Sequence, residues 1–87
     1  MTLTVYSKDN CPFCDRAKNL LKLKGLEFTE IRIDLDPEAR QFIVNEGHRT
    51  VPQIYKDGDL FVQGGYAGLA KLDESIFQQL KESQNVN

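Results

Sequence analysis

Two cysteines, Cys11 and Cys14, stand in a C-x-x-C arrangement within a chain of 87 residues. That spacing suits half of a zinc site, a small structural staple or a reactive dithiol. A structural zinc site takes four protein ligands, and beyond this pair the sequence offers only His48 as a further cysteine or histidine. A staple across so short a loop removes little unfolded-state entropy. Inert free thiols are usually buried rather than paired at a helix start. The pair therefore reads as a redox dithiol. Cys11 sits where a strand-like segment gives way to a helical one, so free backbone N–H groups and the positive end of the helix dipole favour its thiolate. Lys8, three residues earlier, adds positive charge. Cys14 falls one turn into the helix and should be less exposed, which makes Cys11 the nucleophile that attacks a disulfide and Cys14 the thiol that resolves the product.

Thr50-Val51-Pro52-Gln53 is the second feature, since Pro52 cannot donate to a sheet ladder. Beside a redox dithiol it reads as a cis Val51–Pro52 peptide that leaves the Val51 backbone edge facing the site. That edge could pair with an extended cysteine-containing substrate by strand addition. An ordinary edge or loop proline is the alternative. Gly64-Gly65 permits a close approach at the start of the last helix, whose free N–H groups could take a carboxylate, with a plain turn as its alternative.

The elements that must position these residues follow from periodicity. Residues 2 to 7 alternate as a strand, with Leu3 and Val5 on one side and Thr2, Thr4 and Tyr6 on the other. From Pro12, Ala17, Leu20 and Leu21 recur at helical spacing until Gly25, with Lys22 and Lys24 in the last turn. Residues 27 to 35 form a second strand with Thr29, Ile31, Ile33 and Leu35 on one face. Asp36-Pro37-Glu38 starts a helix that buries Ala39, Phe42 and Ile43 and stops at Gly47. Val51 to Lys56 and Asp59 to Val62 flank Asp57-Gly58 as a hairpin. A single final helix carries Leu69, Leu72, Ile76, Phe77 and Leu80, then frays across Glu82 to Asn87. The order is β-α-β-α-β-β-α, an α/β fold with a four-stranded mixed sheet and helices on both faces. The cysteine loop leaves at the carboxyl end of a parallel strand, where such sheets place their sites.

Composition limits the function classes. With 40% hydrophobic and 28% charged residues the chain is of globular type and one domain, residues 1–87, is expected. A net charge of -2 with interspersed signs gives no footprint for nucleic acid. The opening Met-Thr-Leu-Thr-Val-Tyr-Ser-Lys has no basic region followed by an apolar stretch, and no run reaches the roughly 18 residues of a membrane span, so a cytoplasmic protein without a membrane partner is expected.

Taken together, Val5-Tyr6-Ser7-Lys8, Cys11-Pro12-Phe13-Cys14, Ala17-Lys18, Gly47, Thr50-Val51-Pro52-Gln53-Ile54 and Gly64-Gly65 resemble the glutaredoxin family of the thioredoxin superfamily, over nearly the whole chain. The resemblance implies a thioredoxin-like fold and glutathione-dependent reduction of protein disulfides and glutathione mixed disulfides. It implies glutathione as co-substrate, no tightly bound cofactor, no metal and a monomer. Lys8, Cys11, Phe13, Thr50, Val51, Pro52, Gly65 and Tyr66 would line the glutathione site. Disulfide-containing or glutathionylated proteins would be partners, with ribonucleotide reductase a family-level candidate.

The commoner family active site has Tyr where this chain has Phe13. Where many members follow Gly-Gly with Cys or Ser and then Asp, this chain has Tyr66 and Ala67, so a carboxylate for the γ-glutamyl ammonium is missing. The position that often supplies Gln or Arg to the glycyl carboxylate is Ala39, with Arg40 beside it. Both gaps are shared with NrdH-type redoxins, which take electrons from thioredoxin reductase, whereas Thr-Val-Pro favours a glutaredoxin. An iron-sulfur module is the remaining alternative, and Pro12 argues against it because cluster-binding relatives usually have Gly there.

Overall fold

The strand β1 (Leu3–Ser7) lies inside the sheet and fixes the start of the cysteine loop. In the computed structural model, which describes residues 1–85, it is followed by α1 (Pro12–Leu23), β2 (Thr29–Arg32) and α2 (Pro37–Asn45). Next come β3 (Gln53–Lys56), β4 (Asp59–Leu60), α3 (Tyr66–Ala70) and α4 (Glu74–Asn85). The sheet order is β2-β1-β3-β4, with β1 parallel to β2, antiparallel to β3, and β3 antiparallel to β4. The mixed four-stranded α/β architecture is as expected from the sequence.

Alternation along β1 divides the molecule. Leu3, Val5 and Ser7 point to one face and are fully buried, and Val5 stands opposite Ile54 in the register. Ala17 and Leu21 of α1, Leu69 of α3, and Phe77 and Leu80 of α4 close over that face. Each leucine or phenylalanine among them contributes about 1.5–3 kcal/mol on full burial, so this layer holds α1 on the sheet. On the other face Tyr6 and Tyr55 meet Phe42 of α2, with ring centroids 5.4–5.6 Å apart. Phe42 stays 36% exposed and only Ile43 of α2 is buried, so α2 covers its face more loosely than the sequence pattern indicates.

Several boundaries differ from expectation for local reasons. β2 ends at Arg32 rather than continuing to Leu35. The Arg32 guanidinium donates to both carboxylate oxygens of Asp34 at 2.8 and 2.6 Å, and Leu35 N–H donates to the Arg32 carbonyl at 3.1 Å, closing a turn that leaves Leu35 73% exposed. The hairpin is where the sequence puts it, with Asp57 and Gly58 both at positive φ, 52° and 89°, as a two-residue turn requires. Its strands are shorter than expected, although Phe61 N–H still donates to the Ile54 carbonyl.

The expected single last helix is two. α3 stops at Ala70, and Asp73 opens α4 by accepting the Ile76 N–H on its carbonyl and the Ser75 hydroxyl on its carboxylate. Before it, Leu72 N–H closes a turn on the Leu69 carbonyl at 3.2 Å, a break that periodicity of the apolar residues does not register. Instead of fraying, residues 82–85 remain helical, and Gln84 clasps the Glu27 backbone by accepting its N–H at 2.8 Å and donating to its carbonyl at 2.6 Å. Val86 and Asn87, the end of the expected frayed tail, lie outside the described residues. Among the described residues no helix is long and apolar enough to cross a membrane.

Ser7, the last residue of β1, is buried and polar, and its hydroxyl donates to Glu30 at 2.6 Å. Lys18 of α1 donates to the same carboxylate oxygen at 2.7 Å, so one acid ties β1, β2 and α1 together. The Lys18 bond first, then the Ser7 bond, lower the Glu30 pKa below its ordinary 4.5, while the same pairing raises that of Lys18. A depressed folded-state carboxyl adds stability that is fully present above the unfolded pKa and is lost as pH falls through the folded one. Glu30→Gln should therefore cost about 1 kcal/mol at neutral pH for this partly exposed charged pair. The gap from the native chain, measured by denaturant melts across the acid range, should close as pH drops below 4.5. A gap independent of pH would mean that the carboxylate charge contributes nothing.

Candidate active site

Cys11 caps α1. Its backbone is extended at φ -121°, Pro12 begins the helix, and the Cys14 N–H donates to Cys11 Sγ at 3.2 Å. A helix leaves its first N–H groups without intrahelical partners, and here one of them is spent on sulfur. Cys11 and Cys14 form a disulfide with Cα atoms 5.2 Å apart. Cys11 is 8% exposed and Cys14 only 1%, the asymmetry that the helix register implies. In the reduced protein the same N–H would meet a thiolate on Cys11, a charge-assisted bond of the stronger kind.

Three segments converge on that sulfur. The Val51 carbonyl oxygen lies 3.7 Å from Cys11 Sγ. The Val51–Pro52 peptide is cis, as expected, and Pro52 is buried. β3 begins its pairing at Gln53 opposite Tyr6, so the Val51 backbone stands beyond the ladder. Gln53 steadies this turn, its side-chain amide donating to the Thr50 carbonyl at 2.8 Å. Gly65 then packs on Pro52. A Cβ there would stand 2.6 Å from the Pro52 carbonyl oxygen, and φ is +59°, so both space and backbone demand glycine.

Beside Cys11 the site has two unlike flanks. On one, Phe13 is 54% exposed and packs against Tyr66 with centroids 6.2 Å apart, while the Arg16 guanidinium sits 5.0 Å from the Phe13 ring centre. On the other, Lys8, Thr50 and Val51 line an open groove of about 980 Å³ that runs along α2. Arg40 also lines it, as do His48 and Arg49, which sequence reasoning did not place there. Nothing in the local sequence marks those two, because only the fold of the α2–β3 connection turns them toward the groove. His48 is held by the buried Tyr55, with Nε2 and the hydroxyl 2.8 Å apart, and that hydroxyl lies 3.1 Å from Glu46. Burial first, then the Glu46 bond, push the Tyr55 pKa up to about 12, so it stays a neutral phenol. Ala39 is half-buried on α2 and is not part of the groove lining, whereas its neighbour Arg40 is. The expected site residues thus surround Cys11 from two sides. Among the described residues no group of three or more His, Cys, Asp or Glu could hold a metal ion.

The glutaredoxin family model matches residues 3–61, which include the dithiol, Pro52 and all four strands. The chain belongs to the glutaredoxin family. It is 53% identical to a probable glutaredoxin of Synechocystis over 53 residues, 59% of this chain but only 49% of that protein. It is 43% identical to glutaredoxin 3 of Escherichia coli over 70 residues, covering 79% of this chain and 82% of the relative. The glutaredoxin-like protein NrdH of Lactococcus lactis is 40% identical over 70 residues, 80% of this chain and 97% of that one. The solution structure of a glutaredoxin from Brucella melitensis superposes with a TM-score of 0.74 at 34% identity, over 100% of this chain and 95% of the other. The thioredoxin-like fold and the Cys11–Cys14 redox disulfide of this chain fit that family.

The capping geometry generates a test. On reduction, alkylation at mildly acidic pH should label Cys11 well before Cys14, because its thiolate is favoured by the helix start and its sulfur is the more exposed. Peptide mapping after a short pulse of iodoacetamide reads the order. Preferential labelling of Cys14 would reverse the assignment of roles.

Proposed function

We propose that this glutaredoxin is a glutathione-dependent thiol–disulfide oxidoreductase that reduces protein disulfides and glutathione mixed disulfides through Cys11. The observation that carries the reading is Cys11 Sγ at the α1 cap, accepting the Cys14 N–H, beside a Val51 backbone edge free of the sheet. In the reduced state the Cys11 thiolate attacks a disulfide sulfur and the first thiolate leaves. For a protein disulfide, Cys14 then loses its proton and attacks Cys11 sulfur, which releases the second thiolate and closes the Cys11–Cys14 bond. Two electrons pass to the substrate, and its two thiolates take up the proton lost by Cys14 and one from solvent.

Glutathione would lie across Cys11 against Lys8, Phe13, Thr50, Val51, Pro52, Gly65 and Tyr66. Its glycyl carboxylate would meet the cationic side of the groove, with Arg40 taking the part that Ala39 cannot. The γ-glutamyl carboxylate would meet the N–H groups of Gly65 and Tyr66. Its ammonium has no acid to meet, since Ala67 is exposed and apolar at that place. This gap supports a second reading, an NrdH-type redoxin served by thioredoxin reductase, as does the similarity to the Lactococcus protein. Following NADPH loss with glutathione plus glutathione reductase, and separately with thioredoxin reductase, on one small disulfide substrate distinguishes the two donors.

Cys11→Ser should abolish all disulfide reduction. Cys14→Ser should retain turnover of a glutathionylated peptide, because that reaction needs only the attacking thiol while glutathione supplies the second. Equal loss in both variants, measured on the same peptide, would contradict the division of labour.

Ala67→Asp should tighten glutathione. A charge-assisted hydrogen bond is worth about 1.5–3 kcal/mol, so the apparent KM for glutathione should fall by about tenfold or more. Alkylation of Cys11 should hardly change. No change in KM, together with reduction by thioredoxin reductase alone, would leave the NrdH-type reading in its place.

A further inference from the structure

The groove beside Cys11 is roomy and combines cationic with exposed aliphatic side chains. At about 980 Å³ it lies at the upper end of the roughly 300–1,000 Å³ of small-ligand pockets, and it stays open along α2. Its lining includes Leu35 and Val44, which are 73% and 54% exposed. Singly exposed leucines are ordinary, but these two wall a channel that begins at the Val51 edge beside the nucleophile.

Charge on the groove is one-sided. Lys8, Arg40 and Arg49 line it, and among the described residues none of them takes part in an ion pair. The one acid in the lining, Asp34, is already matched by Arg32, whose guanidinium bond holds its pKa down to about 2. The chain as a whole carries a net charge of -2, so unpaired positive charge is gathered at the groove against the overall sign. A cleft lined by one sign of charge focuses its field on an oppositely charged partner.

We infer that the groove docks an extended, acidic and aliphatic stretch of a protein substrate next to its target cysteine. The acidic side chain meets Arg49 and the aliphatic one packs between Leu35 and Val44. The inference rests on the redox reading of Cys11 but not on the identity of the electron donor. It assigns Arg49, Leu35 and Val44 a part in choosing substrates that the exchange chemistry itself does not need.

The test uses symmetric disulfides, two identical short peptides joined through one cysteine each, so that either sulfur attacked gives the same products. One peptide has Leu-Asp on both sides of its cysteine and the other has Leu-Lys. The reduced protein is the sole, stoichiometric reductant, and release of peptide thiol is followed by rapid quench and chromatography, with hydroxyethyl disulfide as the neutral reference. The Leu-Asp disulfide should be reduced about tenfold faster than the Leu-Lys one, with a preference that shrinks as salt is added. Arg49→Gln should remove most of the charge preference. Leu35→Ser combined with Val44→Ser should slow both peptides alike, and in all these variants the rate on hydroxyethyl disulfide should stay unchanged. Equal rates for the two peptides, or a preference untouched by Arg49→Gln, would overturn the docking inference while reduction of hydroxyethyl disulfide keeps the redox reading. If no disulfide at all is reduced, the redox reading itself fails, and the docking inference with it.

Discussion

The bond on which the site depends is the one between the Cys14 N–H and Cys11 Sγ, 3.2 Å long, at the first turn of α1. It requires a residue with extended backbone at the cap, a helix that starts at the next residue, and a strand that delivers the chain there. Pro12 meets the second demand, because its fixed φ suits a first helical residue and its missing N–H is one that the helix could not use. The first demand places sulfur where backbone donors converge. Cys14 then has no freedom of its own, since the turn that turns its N–H toward Cys11 also buries its side chain with Ala17 and Leu21. A backbone donor at one sulfur and shelter for the other are thus a single geometric fact.

That cap stays in place because β1 cannot move. It is bonded on both sides, and its last residue is tied by Ser7 to Glu30 on β2 and through Glu30 to Lys18 on α1. Lys18 lies one turn beyond Cys14, so the helix bearing the dithiol is fastened to the sheet near its middle. The opposing segment is held as firmly. Gly65 closes on Pro52 with no room for a side chain, and Gly68, one turn later, could not carry a Cβ without overlapping the Gln63 carbonyl oxygen. The chain after β4 is therefore pressed onto the turn before β3, and the two loops flanking Cys11 are set by backbone contact rather than by side-chain packing.

Sequence legibility follows the same division. Wherever one short segment determines the outcome, the residues declare it: alternation in β1, Asp36-Pro37 at the head of α2, Asp57-Gly58 in the hairpin, and the dithiol at a strand-to-helix junction. The departures arise where local turn bonding overrides a periodic pattern. Arg32 and Asp34 close a turn inside a run whose alternation alone reads as strand, and Asp73 interrupts a stripe of leucines and phenylalanine that reads as one helix. Phe42 looks like core by spacing yet remains partly exposed, since Tyr6 meets it at a tilt and Tyr55 edge-on from the sheet, leaving its outer side uncovered. Of the candidate site, the cysteines, Pro52 and Gly65 were readable from type and spacing. The gathering of Arg49 and His48 with Lys8 and Arg40 was not, since it depends on how the α2–β3 connection folds back over the groove.

Such a site treats the two ends of a ligand unequally. Anionic groups find unpaired cations on the groove side, whereas on the side of Phe13 and Tyr66 a cationic group finds ring faces and Arg16 but no carboxylate at Ala67. Under the proposed function, glutathione and an acidic substrate segment would both want the same cations, and both must bring a sulfur to Cys11. As separate molecules they cannot do so together. A protein disulfide would then be reduced by the dithiol alone, with Cys14 completing the exchange inside the helix cap, and the donor could enter only after the substrate had left. The buried position of Cys14 serves that order well: it lies within reach of Cys11 without occupying the groove, so the resolving step needs no second ligand at the surface.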